Sequence, residues 1–317
     1  MITIVRYTPA EKDAWNDFVQ ISKNGTFLFN RNYMDYHSNR FEDYSFIIKK
    51  DEKIVALFPA NIDDVTIHSH QGLTYGGFIS NQNMTTPELI EIFDLLLDKL
   101  SQFGISKLIY KSIPRIYHQA PAEEDVYALF LKNASLVSCE TLSIVEMANR
   151  IPIQARRRRG VKKAKRQNII ICESFAWVNF WEVLENNLRE IHSAKPVHSL
   201  DEIKFLQGYF PANIRLFTAE LNKRIVAGTV IYESPSVAHC QYIAASEIGR
   251  KSGALDLLFF ELLENTFREK HYFNFGNSTE NQGQTLNKGL IDFKEGFGAR
   301  TSVHNVFELL LDRQPIG

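Results

Sequence analysis

The chain has 317 residues, 44% of them hydrophobic and 23% charged, a globular balance that excludes a mainly disordered chain. Its formal net charge is −1, from 36 basic and 37 acidic residues. Eight of the basic residues fall between Arg156 and Arg166; the rest of the chain carries 28 basic against 37 acidic groups, or −9, an acidic body with one basic patch.

No apolar run approaches the roughly 20 residues that a membrane-spanning helix needs, so no membrane insertion is expected. The most apolar stretch, Ala254 to Leu263, is interrupted by Asp256 and Glu261. Met1 to Lys12 lacks the basic-then-apolar order of a secretion signal. Cys139, Cys172 and Cys240 are odd in number, widely spaced and outside CxxC pairs. That argues against a disulfide framework or a thiolate zinc site and fits a reducing, cytoplasmic setting. Length alone suggests two domains of about 150 residues each.

Tyr44 to Lys50 and Lys53 to Asn61, joined by Asp51-Glu52, read as a hairpin. A further extended segment is expected over Thr66 to Ile79. His68 and His70 lie two apart on it, with no third ligand in register, and read as solvent-exposed histidines rather than a metal pair. Gly72-Leu73-Thr74-Tyr75-Gly76-Gly77 reads either as a bulge with Tyr75 packed, or as a strand end with Tyr75 facing a substrate. The turn Ser80 to Thr86 has no basic residue and no glycine. Thr86-Pro87-Glu88 opens a helix whose stripe is Leu89, Phe93, Leu96, Leu100 and Phe103, with Gly104 as its stop. A short strand, Lys107 to Tyr110, follows.

A boundary is expected near Asn149, giving modules 1–149 and 150–317. The basic run reads as a helix opening the second. Four adjacent arginines on a helix point in all directions, and no aromatic lies among them to stack a base. An internally paired or solvated face is therefore favoured over a polyanion site. Phe180 to His192 and Leu200 to Gln207 are helical segments. Ser199 caps the second, with Glu202 at the capping-box position. His198, a lone histidine before that cap, reads as structural or as a general base.

Ile214 to Glu220 and Arg224 to Glu233 form a second hairpin, followed by an extended Val237 to Ala245, a long helix from near Ser252, and a strand Tyr272 to Phe275. This repeats the order of the first half. Lys53-Ile54-Val55-Ala56 and Arg224-Ile225-Val226-Ala227 open the equivalent strands. One unit of hairpin, strand, helix and strand occurs twice, the mark of an internal duplication.

These residues carry a resemblance. The element order resembles the GNAT acyltransferase fold, and two copies without a linker resemble its FemAB-like branch, whose best-known members are peptidoglycan aminoacyltransferases. Lys162 to Asn168 is similar to the basic helix opening the second module of that branch. Phe273-Asn274-Phe275-Gly276 is similar to its late strand, and Phe293-Lys294-Glu295-Gly296-Phe297-Gly298 to its closing signature. The resemblance implies a mixed α+β protein of two tandem GNAT-like modules, each a mixed sheet flanked by helices.

It further implies transfer of an acyl group from a thioester donor, such as acyl-coenzyme A, to an amine acceptor, either a small molecule or a glycopeptide. Gln241, Tyr242, Ile243 and Ala244 would pair with the donor's extended arm. Arg250, Lys251, Ser252, Gly253 and Ala254 would hold its pyrophosphate; Arg250 and Gly253 match the family pattern, while Leu255 replaces its last small residue. The first module would carry no cofactor site. Ser278, Glu280 or His198 would handle the amine proton, and Lys294 would steady developing negative charge. Tyr75, Asn277 and Asn287 are candidate substrate contacts. Phe293, Phe297 and Gly296 read equally as core and turn.

Two alternatives stand beside this reading. One is aminoacyl transfer from tRNA, held through Arg156–Arg166, to a cell-wall precursor; the coiled-coil insertion of tRNA-dependent members has no counterpart here. The other is a non-catalytic binding protein on the same scaffold. No metal is expected, and no hydrolase, kinase or dehydrogenase motif is present.

Overall fold

The structure is a computed structural model and describes residues 1–192 and 195–311. The chain divides into two compact units. The first comprises residues 1–140, 281–284 and the stretch from Val303 onward; the second comprises 141–280 and 285–302.

In the first unit the helix Thr86–Gln102 forms where its signals predict. The Thr85 side chain accepts from the Glu88 amide, Pro87 lies in the first turn, and Leu89, Ile92, Phe93, Leu96 and Leu100 are buried. Gly104 takes φ +76° and ends it. Its apolar stripe packs on Phe46, Phe58, Phe78 and Tyr110. Strands Ile2–Arg6, Phe46–Lys50, Lys53–Phe58 and Ile79–Ser80 make an antiparallel sheet in that order.

The expected strands of this unit are broken in two places. Lys53–Phe58 stops at Pro59, which has no N–H for a ladder, and Asn61–Asp63 resumes beside Glu42–Asp43 and Thr66–His68 in a different sheet. The segment Thr66 to Ile79 is not one strand. Pairing ends at His68 and resumes at Ile79. His70 is buried with φ +72°, packed on His37 and Phe41, and burial holds its imidazole at about 3. The expectation of an exposed histidine there is corrected: the chain has left the strand, so His68 and His70 no longer share a face.

In the second unit the strands run Ile170–Ser174, Ile214–Leu221, Arg224–Glu233, Val237–Ala245 and Tyr272–Asn277 in spatial order, with the end of strand Ser135–Glu146 beyond them. All pairs are antiparallel except Val237–Ala245 with Tyr272–Asn277, which is parallel. One core on this sheet gathers Phe217, Phe259, Phe273, Phe275 and Phe297.

The long helix expected from Ser252 is two helices, Glu247–Ser252 and Ala254–Glu261, ending in a π turn at Leu262–Thr266. Gly253 separates them at φ +80°, and a Cβ there would lie 2.6 Å from the Gly160 carbonyl. A Cβ on Gly160 would in turn meet the Asp256 carboxylate at 1.9 Å. The basic helix Ala155–Arg166 thus seats on this turn through two glycines, closer than any larger residue permits. Among the described residues, no helix is long and apolar enough to cross a membrane.

Candidate active site

Among the described residues, each unit shows a parallel strand pair of the same short register. In the second unit Val237, Ala238 and His239 face Tyr272, Phe273 and Asn274, and pairing then stops. In the first, Thr66, Ile67 and His68 face Lys107, Leu108 and Ile109, and pairing stops at the same point. Two parallel strands that part in this way leave a fork.

The first fork is filled by its own chain. The Ser69 amide donates to the Ile109 carbonyl, the Gly76 amide to the Lys111 carbonyl, and the Lys111 amide to Ser69 Oγ. Lys111 Nζ donates to the Leu73 carbonyl at 2.6 Å. Gly76 is required, because a Cβ would fall 1.7 Å from the Ser69 carbonyl oxygen. Tyr75, in this same segment, is buried with its hydroxyl 3.1 Å from Thr26 Oγ1 and its ring against Tyr117 and Phe29.

Among the described residues the second fork has no such plug. Beyond His239 the strand pairs on one side only, with Arg224–Glu233. Gln241 is a bulge residue there: Cys240 pairs with Ile231 and Tyr242 with Val230. Lys294 is held on one arm, at the end of strand Tyr272–Asn277. Its helix, Lys288–Glu295, begins where Asn287 Oδ1 accepts from the Leu290 amide at 3.0 Å. Lys294 is 2% exposed, and its Nζ donates to the Gly276 and Asn277 carbonyls at 3.1 and 2.5 Å. Burial lowers its pKa to about 8. An ammonium has three donors, and two are taken by the strand end.

His239, which the sequence did not single out, stands at the last paired position before the fork opens. It is half-buried, and its Nδ1 has no hydrogen-bond partner. Burial, and next the Lys294 charge, hold the imidazole at about 4, so it is neutral near pH 7. No motif marks it; its signal is strand register. The neighbouring Cys240 thiol is pushed up to about 12 by burial, which argues against a thiolate nucleophile.

The other candidates are placed as follows. Ser278 is buried, its hydroxyl 3.1 Å from that of Ser143. Asn277 Oδ1 accepts from the Thr279 amide and hydroxyl, so this side chain shapes the turn. Glu280 is exposed and accepts from Asn287 Nδ2 at 2.9 Å. His198 is buried, its Nδ1 2.6 Å from the Tyr242 hydroxyl, to which its own amide also donates. Burial raises that phenol to about 12. Lys294 and the 276–277 strand end therefore meet; His198 joins Tyr242 instead.

Several polar groups of residues 246–254 are engaged within the fold. The Gly249 amide is capped by Ser246 Oγ, the Arg250 amide donates to the Ser246 carbonyl, and the Gly253 amide to the Gly249 carbonyl. The Ser252 hydroxyl also bonds the Gly249 carbonyl. The Arg250 guanidinium folds onto the Ala245 carbonyl, and Lys251 pairs with Glu247 on the surface. Gly160 occupies the space beside Gly253, and Ala254 is buried. The Gly249, Arg250 and Gly253 amides are thus used within the fold.

The basic helix is sorted by the tertiary structure. Arg156 makes a bidentate pair with Asp292, Arg157 reaches Asp256 at 3.0 Å and lies over Phe293, and Lys165 pairs with Glu261. Arg158, Arg159, Lys162, Lys163 and Arg166 are exposed and make no ion pair among the described residues. Among those residues, no group of three or more His, Cys, Asp or Glu side chains could hold a metal.

Residues 177–294 match a family model described as an acetyltransferase (GNAT) domain. The match spans both arms of the open fork and ends on Lys294. It supports acyl transfer as the class of chemistry. No curated protein matches the sequence. Among solved structures, FemX superposes with a TM-score of 0.70 at 11% identity, over 99% of this chain and 98% of that one. L-PGS from Bacillus licheniformis gives 0.60 at 14% identity, over 97% and 92%. A tandem GNAT protein from the clavulanic acid biosynthesis pathway gives 0.53 at 10% identity, over 99% and 100%. At these identities the likeness is one of fold.

Proposed function

From the premise of a GNAT-superfamily chain with a FemAB-like fold, we propose an N-acyltransferase that moves an acyl group from an activated ester or thioester to an amine at the fork between Val237–Ala245 and Tyr272–Asn277. The observation that carries this reading is Lys294, a buried ammonium held by the Gly276 and Asn277 carbonyls where the two arms part.

The residues suit the steps. The donor's arm pairs along Gln241 to Ala244, on the side that no strand occupies. The amine nitrogen attacks the acyl carbon and a tetrahedral oxyanion forms. The third donor of Lys294, working in a site shielded from water, stabilises it. The amine proton passes to the neutral His239 imidazole, whose Nδ1 is buried and has no hydrogen-bond partner, once the bound substrate reaches it. The bond to the donor's sulfur or oxygen then breaks, and the leaving group recovers a proton. Coenzyme A would supply a thioester in such domains; Arg250 and Lys251 are engaged with Ala245 and Glu247, and no step is assigned to the coenzyme.

The test is a donor panel of acyl-coenzyme A thioesters and aminoacyl-tRNAs against mixed amine acceptors. Transfer that is lost in Lys294→Met supports the reading. Transfer that survives Lys294→Met at full rate, or no transfer with any donor, overturns it.

A further inference from the structure

The face left free on the basic helix is a single surface. Arg158, Arg159, Lys162, Lys163 and Arg166 are all exposed. At 100° per residue they fall within an arc of about 140°, two turns long. Arg156, Arg157 and Lys165 are tied down by Asp292, Asp256 and Glu261, and Gly160 presses against Gly253. The helix is therefore held in one orientation, with one row of cations facing out.

We propose that this face docks the protein on an anionic lipid bilayer. Two anionic partners fit the charge, and the surroundings favour the lipid. No aromatic side chain lies on the helix to stack a base, as single-stranded nucleic-acid surfaces use. Exposed apolar residues stand instead at both ends: Ile151 before the helix, 39% exposed, and Ile170 after it, 64% exposed. Cations flanked by apolar side chains match a headgroup layer, where the charge meets phosphates and the apolar tips enter the acyl boundary. The acidic remainder of the chain limits the contact to this face. The proposal stands whether or not the fork transfers acyl groups.

The test is co-sedimentation of the full chain with vesicles of phosphatidylcholine alone, or of phosphatidylcholine with phosphatidylglycerol. Binding is expected only to the anionic vesicles, and to weaken at least about tenfold when salt rises several-fold. The double variant R159E/K163E, both positions exposed and unpaired, is expected to abolish it while its circular dichroism stays unchanged. Three results would overturn the proposal: no partition to anionic vesicles, equal partition to neutral ones, or full binding by the double variant. So would a folded RNA that binds this face more tightly than vesicles do at equal phosphate concentration.

Discussion

Lys294, to which the proposed reaction assigns charge stabilisation, carries a burial cost in stability. Its folded pKa of about 8 lies below the ordinary lysine value, so the folded chain binds fewer protons than the unfolded chain between about pH 8 and 10.5. Stability from this group therefore rises with pH across that window, and below pH 8 the burial penalty is present in full, at most about 3 kcal/mol. Lys294→Met is expected to leave the melting temperature at pH 7.5 unchanged or higher, while transfer falls about 100-fold or more. Calorimetry and initial rates on the same sample check both. In the intact protein the rate should fall as pH rises through about 8, where the ammonium is lost. His239→Gln should lower kcat about 100-fold with little change in donor KM. The closing FK motif was legible in the sequence, and the charge-stabilising role proposed for its lysine started from that resemblance. His239 was not legible, because its importance comes from being the last residue in register before the fork, and register with a strand over thirty residues away is not a local pattern.

Among the elements, the helix ends were the most legible. Ser199 with Glu202, and Gly104, act through neighbours a few residues away, so sequence spacing reports them; the cap expected at Thr86 is made by Thr85, one residue earlier. Asn287, read from the sequence as a substrate contact, caps the helix Lys288–Glu295. Asn287→Ala should destabilise by about 1 kcal/mol through the lost cap, and should also weaken transfer because the same helix carries Lys294. The crossing of the basic helix with Gly253 was not legible. Gly160→Val would drive a side chain into Asp256, a cost of about 2–4 kcal/mol read by urea denaturation. Arg157→Ala would leave Asp256, whose carboxyl burial already pushes upward, without its partner. It should cost about 2 kcal/mol, whereas Arg158→Ala should stay within about 0.5 kcal/mol. Four consecutive arginines look alike in sequence; the acids across the contact divide them into braces and a free face.

At the scale of the molecule, the first unit takes back a strand from the end of the chain. Val306 to Leu310 pair with Lys111 to Lys107, and Leu309 and Leu311 join the core built on Phe58 and Phe93. A fragment of residues 1–149 lacks that strand and is expected not to fold cooperatively, giving no sharp thermal transition by circular dichroism while the full chain does. The two halves repeat one plan, down to parallel pairs of matching register, yet only one fork is open. The closing of the other depends on Ser69 to Gly76 folding back onto Lys111.

The sequence by itself determined the two hairpins, the Ser199 cap, the Gly104 stop and the charge imbalance. Each is a pattern of period or spacing that a local stretch of chain enforces. Only the tertiary structure decided which fork stays open, which three cations of the basic run are braced, and that the 246–254 turn uses its own amides. These outcomes rest on contacts between segments far apart in the chain. A shift of one residue in strand register turns every side chain to the other face, and nothing local reports it.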